Sequence, residues 1–345
     1  MNILVAILIF GFIIIFHELG HFTFAKLCNV RVNEFMVGLG PRLFGKKIGE
    51  TDVSLHLLPF GGACVMEGEE EESDDDRSFQ KKTPFQRFLI VFAGPLFNFI
   101  LAVILSIVII TGMGYNPARI DKVMPGYPAE EAGLKSGDLI TGLNSYHVHF
   151  YQEISYYTFF HKGESIDVTY KRDGKTYKTV LNSKYDKKSK RYLIGIEGGS
   201  QNVRGNFFNV IEHGFSLVGE NIYVTLMSLK MLFTGGASLN DMSGPVGIVK
   251  VIGDSYNTAK AYGAFYLVME MFNLTVLLSA NLGVMNLLPF PALDGGKIVL
   301  YIFEMITKKK PNEKFENALN LFGFIFLMGL MVLIMGNDIR KIFMS

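Results

Sequence analysis

The first sixteen residues carry no charged side chain and are almost wholly apolar, and they run directly into His17-Glu18-Leu19-Gly20-His21. Ionisable groups are costly at membrane depth, so a cluster of them inside such a run reads as a functional site. On a helix, residues four apart share a face. His17 and His21 can therefore grip one zinc ion, with Glu18 placed to act on the water beside it. The plainer alternative is a pair of histidines lining a helix contact. With 7 histidines in 345 residues, abundance alone does not explain the pattern.

Composition agrees with a membrane setting. The chain is 49% hydrophobic with a mean hydropathy of +0.29, too apolar for an ordinary soluble domain. A net charge of +1 argues against a nucleic-acid binder and against a strongly basic membrane-surface protein. Two cysteines, Cys28 and Cys64, give no disulfide framework. Cys28 follows His21 by seven residues, a rise of about 10 Å, too far along the axis to share its ion. The N-terminal run lacks a basic leader and a small-residue cleavage site, and Leu27 before Cys28 does not suit a lipoprotein signal. It is expected to be a retained span.

Four stretches have the roughly 20 apolar residues that a bilayer needs: about 2–25, 86–112, 265–289 and 316–336. Small residues such as Gly94 and Gly329 would let neighbouring helices approach closely. The loop between the first two spans carries Lys26, Arg31, Arg42, Lys46, Lys47, Arg77, Lys81 and Lys82, and the loop between the last two carries Lys308, Lys309, Lys310 and Lys314. The positive-inside rule puts both in the cytoplasm, with Arg340 and Lys341 as weak counter-evidence, and leaves 113–264 outside.

Within the cytoplasmic loop, 51–66 mixes partial alternation with Gly61-Gly62 and predicts a β-hairpin. His56, alone there, reads as structural or exposed. The acidic run 67–76 reads as a solvated, mobile loop, with a gate or partner contact as the functional alternative.

Residues 115–200 have soluble composition. Segment 122–144 reads as a strand end, a turn and a short helix leading to another strand, and 165–177 as a hairpin turning at Asp173-Gly174. PGYPAEEAGLKSGDLI resembles the helix and GD turn of a PDZ domain. By that resemblance YLIGIEG, 192–198, is the carboxylate-binding strand, with a peptide groove along Ile194, Gly195 and Ile196 that would bind by strand addition. A folded spacer without ligand is the alternative. Residues 208–234 predict an amphipathic helix at the membrane interface, because Glu212, His213 and Glu220 break its apolar character; a fifth span is the competing reading.

Two histidines leave a catalytic zinc one protein ligand short. Thiolate, imidazole and carboxylate are all open in principle, and Asp294 in NLLPFPALDGGK is the best candidate. It is an acid in broken backbone beside Pro289, Pro291, Gly295 and Gly296, which is tolerated at membrane depth only when buried in protein or lining a cavity. It can also serve as N-cap of a helix starting near Gly295.

HELGH in the first span, the PDZ-like region, GPVGI at 244–248 and NLLPFPALDGG at 286–296 together resemble the site-2 protease family, in its bacterial RseP-like branch. The resemblance implies an α-helical polytopic membrane protein of about four transmembrane helices with an inserted β-rich PDZ domain. Its expected parts are 1–112 with HELGH and the hairpin, 113–204 as the PDZ domain, 205–264 as the interfacial segment, and 265–345 with the LDG motif. It implies Zn2+ held by His17, His21 and Asp294, Glu18 as base, and Asn286 on the substrate backbone. The hairpin with Gly61 and Gly62 matches a membrane-re-entrant β-loop that pairs with an extended substrate. This chain departs in having room for one PDZ domain where some relatives have two. The implied activity is intramembrane cleavage of single-span membrane proteins, such as trimmed anti-sigma factors or remnant signal peptides. The implied location is the bacterial inner membrane among its lipids, with the active site toward the cytoplasm, the PDZ domain outside and no role for nucleic acid. The rival expectations are a non-catalytic PDZ scaffold tethering membrane proteins and a membrane-anchored metalloprotease acting on soluble peptides.

Overall fold

A computed structural model describes residues 2–69, 73–187, 189–238, 242–310 and 312–344. The chain divides into two compact units, one of Met1–Leu105 with Gly235–Ser345 and one of Ser106–Thr234. The first opens with α1 (Asn2–Leu27), β1 (Val32–Ile48), β2 (Thr51–Met66) and α2 (Pro84–Met113), whose last turns belong to the second unit. The second continues with β3 (Ile120–Val123), α3 (Pro128–Glu131), β4 (Leu139–Leu143), β5 (Tyr146–His147) and α4 (Tyr151–Phe160). It is completed by β6 (Ser165–Arg172), β7 (Lys175–Asn182), β8 (Lys184–Asp186), β9 (Arg191–Leu193), β10 (Ile196–Gly198) and α5 (Phe207–Phe233). The first unit then resumes with α6 (Pro245–Lys260), α7 (Ala264–Asn286), α8 (Asp294–Thr307) and α9 (Glu313–Met344).

Among the described residues, four helices are long and apolar enough to cross a membrane: Ile3–Leu27, Pro84–Met113, Ala264–Asn286 and Lys314–Lys341. They fall on the four expected stretches. The region 205–264 forms two helices, α5 in the second unit and α6 in the first.

The β-structure of the first unit differs from the local hairpin expected within 51–66. The chain reverses at Gly49-Glu50, where Ile48 pairs with Thr51. Both long strands then bend. Phe35 lies opposite Cys64 on one side and Val53 on the other, while Phe44 faces Leu55. The sheet is thus four segments wide, with 62–66 along one edge and 32–39 inserted between it and 51–58. Gly61-Gly62 therefore cannot close a tight two-residue hairpin. The inserted segment brings Val32 and Phe35 to a core shared with Ala25, Cys64, Met66, Ile90, Val91 and Ile298.

The second unit has its own core of Ile140, Leu143, Ile154, Ile166, Val168, Leu181 and Ile194. Its main sheet has the order β5-β4-β6-β7, and β3 pairs with β10. The expected turn at Asp173-Gly174 joins β6 to β7, with φ of 48° and 75°. Two positive values in succession are what a type I′ turn needs, and Asp-Gly is a favoured pair for it.

Among the described residues of this unit, three carboxyl groups are buried: Asp138, which accepts from Arg172 Nε at 2.6 Å, Glu153 and Glu220. Glu153 accepts from the backbone N–H of Phe150 at 2.9 Å and from the Tyr146 hydroxyl at 2.9 Å. Glu220 on α5 accepts from Gln152 Nε2 at 3.0 Å. Burial, with the charge of Glu153 adding to it, pushes the Glu220 carboxyl up to about 8. A raised carboxyl pKa means that the folded state holds its proton longer than the unfolded chain does. The contribution of Glu220 to stability is therefore full below pH about 4.5 and is lost as pH rises to about 8. Hydrogen exchange on the full-length protein should show β4–β7 losing protection across that window. Glu220→Gln should flatten the loss; an unchanged slope would place the titrating group elsewhere.

Candidate metal centre

The metal-ligand geometry begins with helix period. His17 and His21 lie one turn apart on α1, both buried, with their Nε2 atoms 3.2 Å apart. The broken backbone after α7 returns Asp294 to them. Its Oδ2 lies 3.2 Å from His17 Nε2 and 3.7 Å from His21 Nε2. A tetrahedral ion with arms of 2.0–2.1 Å has ligand-to-ligand edges of about 3.3 Å, so these separations suit zinc. Asp294 Oδ2 is buried and has no hydrogen-bond partner, the state of a carboxylate oxygen aimed at a cation. Among the described residues, His17, His21 and Asp294 form the group of His, Cys, Asp and Glu side chains able to hold a metal.

Asp294 does not act as the N-cap. It is the first residue of α8, and the cap position belongs to Leu293. The turn that delivers it is tight. A Cβ on Gly295 would overlap the backbone of Leu287 and Leu288, and one on Gly296 the carbonyl of Phe290. Ala292 adopts a left-handed φ of 69°, with its N–H on Asn320 Oδ1 at 3.2 Å. Burial alone would raise the Asp294 carboxyl, but the imidazoles of His17 and His21 beside it outweigh that and hold the group below the usual carboxylate range. One turn on, burial opposes the charge on Lys297, yet Glu69 at 2.8 Å keeps its ammonium above the ordinary lysine value.

α2 supplies the wall behind the imidazoles. A Cβ on Gly20 would overlap the Ala93 carbonyl, and one on Gly94 would overlap the rings of both His21 and His17. His21 Nδ1 donates to the Ile90 carbonyl at 2.9 Å, and the Asn98 amide sits 3.1 Å from His17 Nδ1. Residues 90, 94 and 98 are successive turns of one helix face. The sequence pattern anticipates close approach at Gly94 but not Asn98, whose signal is a lone amide in the middle of a span.

A cavity of about 680 Å³ opens onto this group, and Glu18, Gly62, Cys64 and Lys297 line it with the three candidate ligands. Asn286 Nδ2 approaches His17 Nε2 at 3.4 Å. A Cβ on Gly62 would press on the Met36 carbonyl and on Glu18 Cγ. Gly61 adopts a φ of 86° and abuts Leu39. Cys64 lines the cavity outside the ligand group, and burial pushes its thiol up. His56 bonds Ser54 and the Gly40 carbonyl, as a structural residue does. The acidic run is tied at its ends, Glu67 to Asn33 at 2.7 Å and Asp75 to Arg31 at 3.0 Å; Glu70, Glu71 and Glu72 lie outside the described residues. The GPVGI segment caps α6 on a distant acid, with Gly247 N–H donating to Asp338 at 2.8 Å.

In the second unit, Ile194 is a core residue and Gly195 has a φ of 86°. The carbonyls of Ile194, Gly195 and Ile196 accept from Ala129 N–H, Met124 N–H and the Tyr151 hydroxyl at 2.9, 2.8 and 3.1 Å.

A profile of peptidase family M50 matches residues 5–330. A protein of Clostridium acetobutylicum is 41% identical over 338 residues, covering 98% of this chain and 97% of that one. A Clostridium perfringens protein is 39% identical over 344 residues, covering 98% of each. A third, from Fusobacterium nucleatum, is 33% identical over 347 residues, covering 99% of this chain and all of its own length. Each bears the name "putative zinc metalloprotease".

The Gly94 contact makes a direct prediction. Gly94→Val should lower metal content of the purified protein at least about tenfold by displacing both imidazoles. Gly329→Ala, where an added Cβ meets open space, should leave it unchanged. Full metal content in the Gly94 variant would show that the rings tolerate the displacement.

Proposed function

Because the chain belongs to peptidase family M50, we propose that it is a zinc metalloendopeptidase of the site-2 type that cuts single-span membrane proteins within the bilayer. One observation carries this reading: two imidazoles and a carboxylate converge at zinc-ligand distances beside Glu18, on helices apolar enough to span a membrane. The chain is a multi-pass membrane protein.

His17, His21 and Asp294 would hold the ion. Zinc bound there would supply a Lewis acid for the scissile carbonyl and bring the pKa of a water to about 7. Glu18, on the same cavity, takes the proton from that water and passes it to the leaving amine. Asn286 orients the substrate backbone from the end of α7. A helical substrate shields its own amides, so it must be held extended. The 62–66 edge, which lines the cavity at Gly62 and Cys64, is placed to pair with it by strand addition. Exposed Leu39, Leu43, Phe44, Leu55, Leu57 and Leu58 on the same sheet suit immersion in lipid. A tether without catalysis has no need of a complete ligand set with an adjacent base.

We read the site as lying toward the cytoplasm of a bacterial inner membrane, a reading supported by the basic loops and by the roughly 24 Å of α1 that precede His17. The second unit is then outside, where we read its PDZ-like region as a size filter that passes trimmed substrates such as cut anti-sigma factors or remnant signal peptides. The inward hydrogen bonds of Ile194, Gly195 and Ile196 favour a filter over a recruiting groove. Removing 115–200 should preserve cleavage of a short-tailed substrate and admit one with a large outer domain; loss of short-tailed cleavage would indicate recruitment.

Glu18→Gln tests the chemistry. Zinc should stay bound while cleavage of a single-span substrate falls by about two to four orders of magnitude. Near-normal turnover would refute the assignment of the base.

A further inference from the structure

The Asn98 side chain is completely buried, and its amide lies 3.1 Å from Nδ1 of His17. Its backbone carbonyl accepts from the hydroxyl of Ser279, also fully buried, at 2.8 Å, which pins this turn of α2 against α7. Amide oxygen and nitrogen exchange places on a half-turn, and the surrounding hydrogen bonds decide which faces a given partner. With Nδ2 toward His17, the imidazole must accept at Nδ1 and carry its proton on Nε2, the nitrogen that faces Asp294 and His21. Asn98 Oδ1 then has no partner. With Oδ1 toward His17, Nδ1–H donates and the Nε2 lone pair is free. His21 already has that arrangement, because a backbone carbonyl, that of Ile90, can only accept.

Resting on the zinc reading above, we propose that Asn98 is a positioning residue that fixes the tautomer of His17: its Oδ1 accepts Nδ1–H and turns the Nε2 lone pair to the metal. Two acceptors on one helix face thus serve two histidines one turn apart. An outer acceptor of this kind orients the ring and raises its basicity, and its loss costs about 10- to 100-fold in metal affinity.

The test is chelator competition for zinc on the full-length protein in detergent, comparing wild type with Asn98→Leu, Asn98→Ala and Asn98→Asp. Asparagine to aspartate keeps an acceptor at the same place; leucine and alanine remove it at two different volumes. The expected result is a loss of about 10- to 100-fold for Leu and Ala, with Asp at or above wild-type affinity. Hydrogen exchange in α2 checks that each variant is folded. Wild-type affinity in either folded Leu or Ala variant overturns the proposal, as does an Asp variant as weak as they are, because packing alone would then account for the residue. The zinc reading fails separately, if wild type binds no zinc or Asp294→Ala binds it undiminished.

Discussion

Hydrocarbon offers no hydrogen bonds, so a cluster of candidate metal ligands set in a membrane-spanning helix must find every polar partner inside the protein. Much of the first unit follows from that constraint. The ring nitrogens of His17 and His21 face Asp294 on one side and α2 on the other. Those contacts require α1 and α2 to meet at backbone distance, which Gly20 and Gly94 allow. The carboxylate arrives from a third direction, through backbone that a helix cannot supply, so α7 must end and α8 begin beside the site. The Pro-Gly-rich turn between them is the consequence.

A second set of buried and half-buried polar contacts holds the frame. Arg87 on α2 donates to both oxygens of Glu304 on α8 at 2.8 Å and lies over the Tyr301 ring. Lys297 and Glu69 tie α8 to the strand end at 2.8 Å. Asp338 on α9 fixes the start of α6. For the buried Arg87–Glu304 pair, removing one partner should cost about 3–5 kcal/mol, while replacing the whole pair by apolar groups is often neutral. These contacts therefore specify which helices meet more than they add net stability, and they hold α8 in the place from which Asp294 reaches the histidines.

What the sequence disclosed depended on range. HELGH was legible because its geometry is local: four residues on a helix bring two side chains together wherever that helix packs. Asp294 was legible because an acid in broken apolar backbone is too costly to bury without a cation or a donor beside it, although only the fold showed it at the start of α8 instead of at the cap. The turn at Asp173-Gly174 was legible for the same local reason as HELGH. Asn98, Arg87–Glu304 and Asp338–Gly247 were not, since each depends on which helix faces which, across 81, 217 and 91 positions of chain. The segment 51–66 misled because its alternation and Gly-Gly pair are those of a hairpin, whereas 32–39, equally apolar, takes the place between its two halves.

The central claim is that one ion is held by His17, His21 and Asp294, with no sulfur. X-ray absorption at the zinc edge of the purified protein tests it most directly. The predicted spectrum has a first shell of nitrogen and oxygen at about 2.0–2.1 Å with the outer scattering of two imidazoles. A scatterer at about 2.3 Å would signify a thiolate, bring Cys64 into the shell and contradict that assignment.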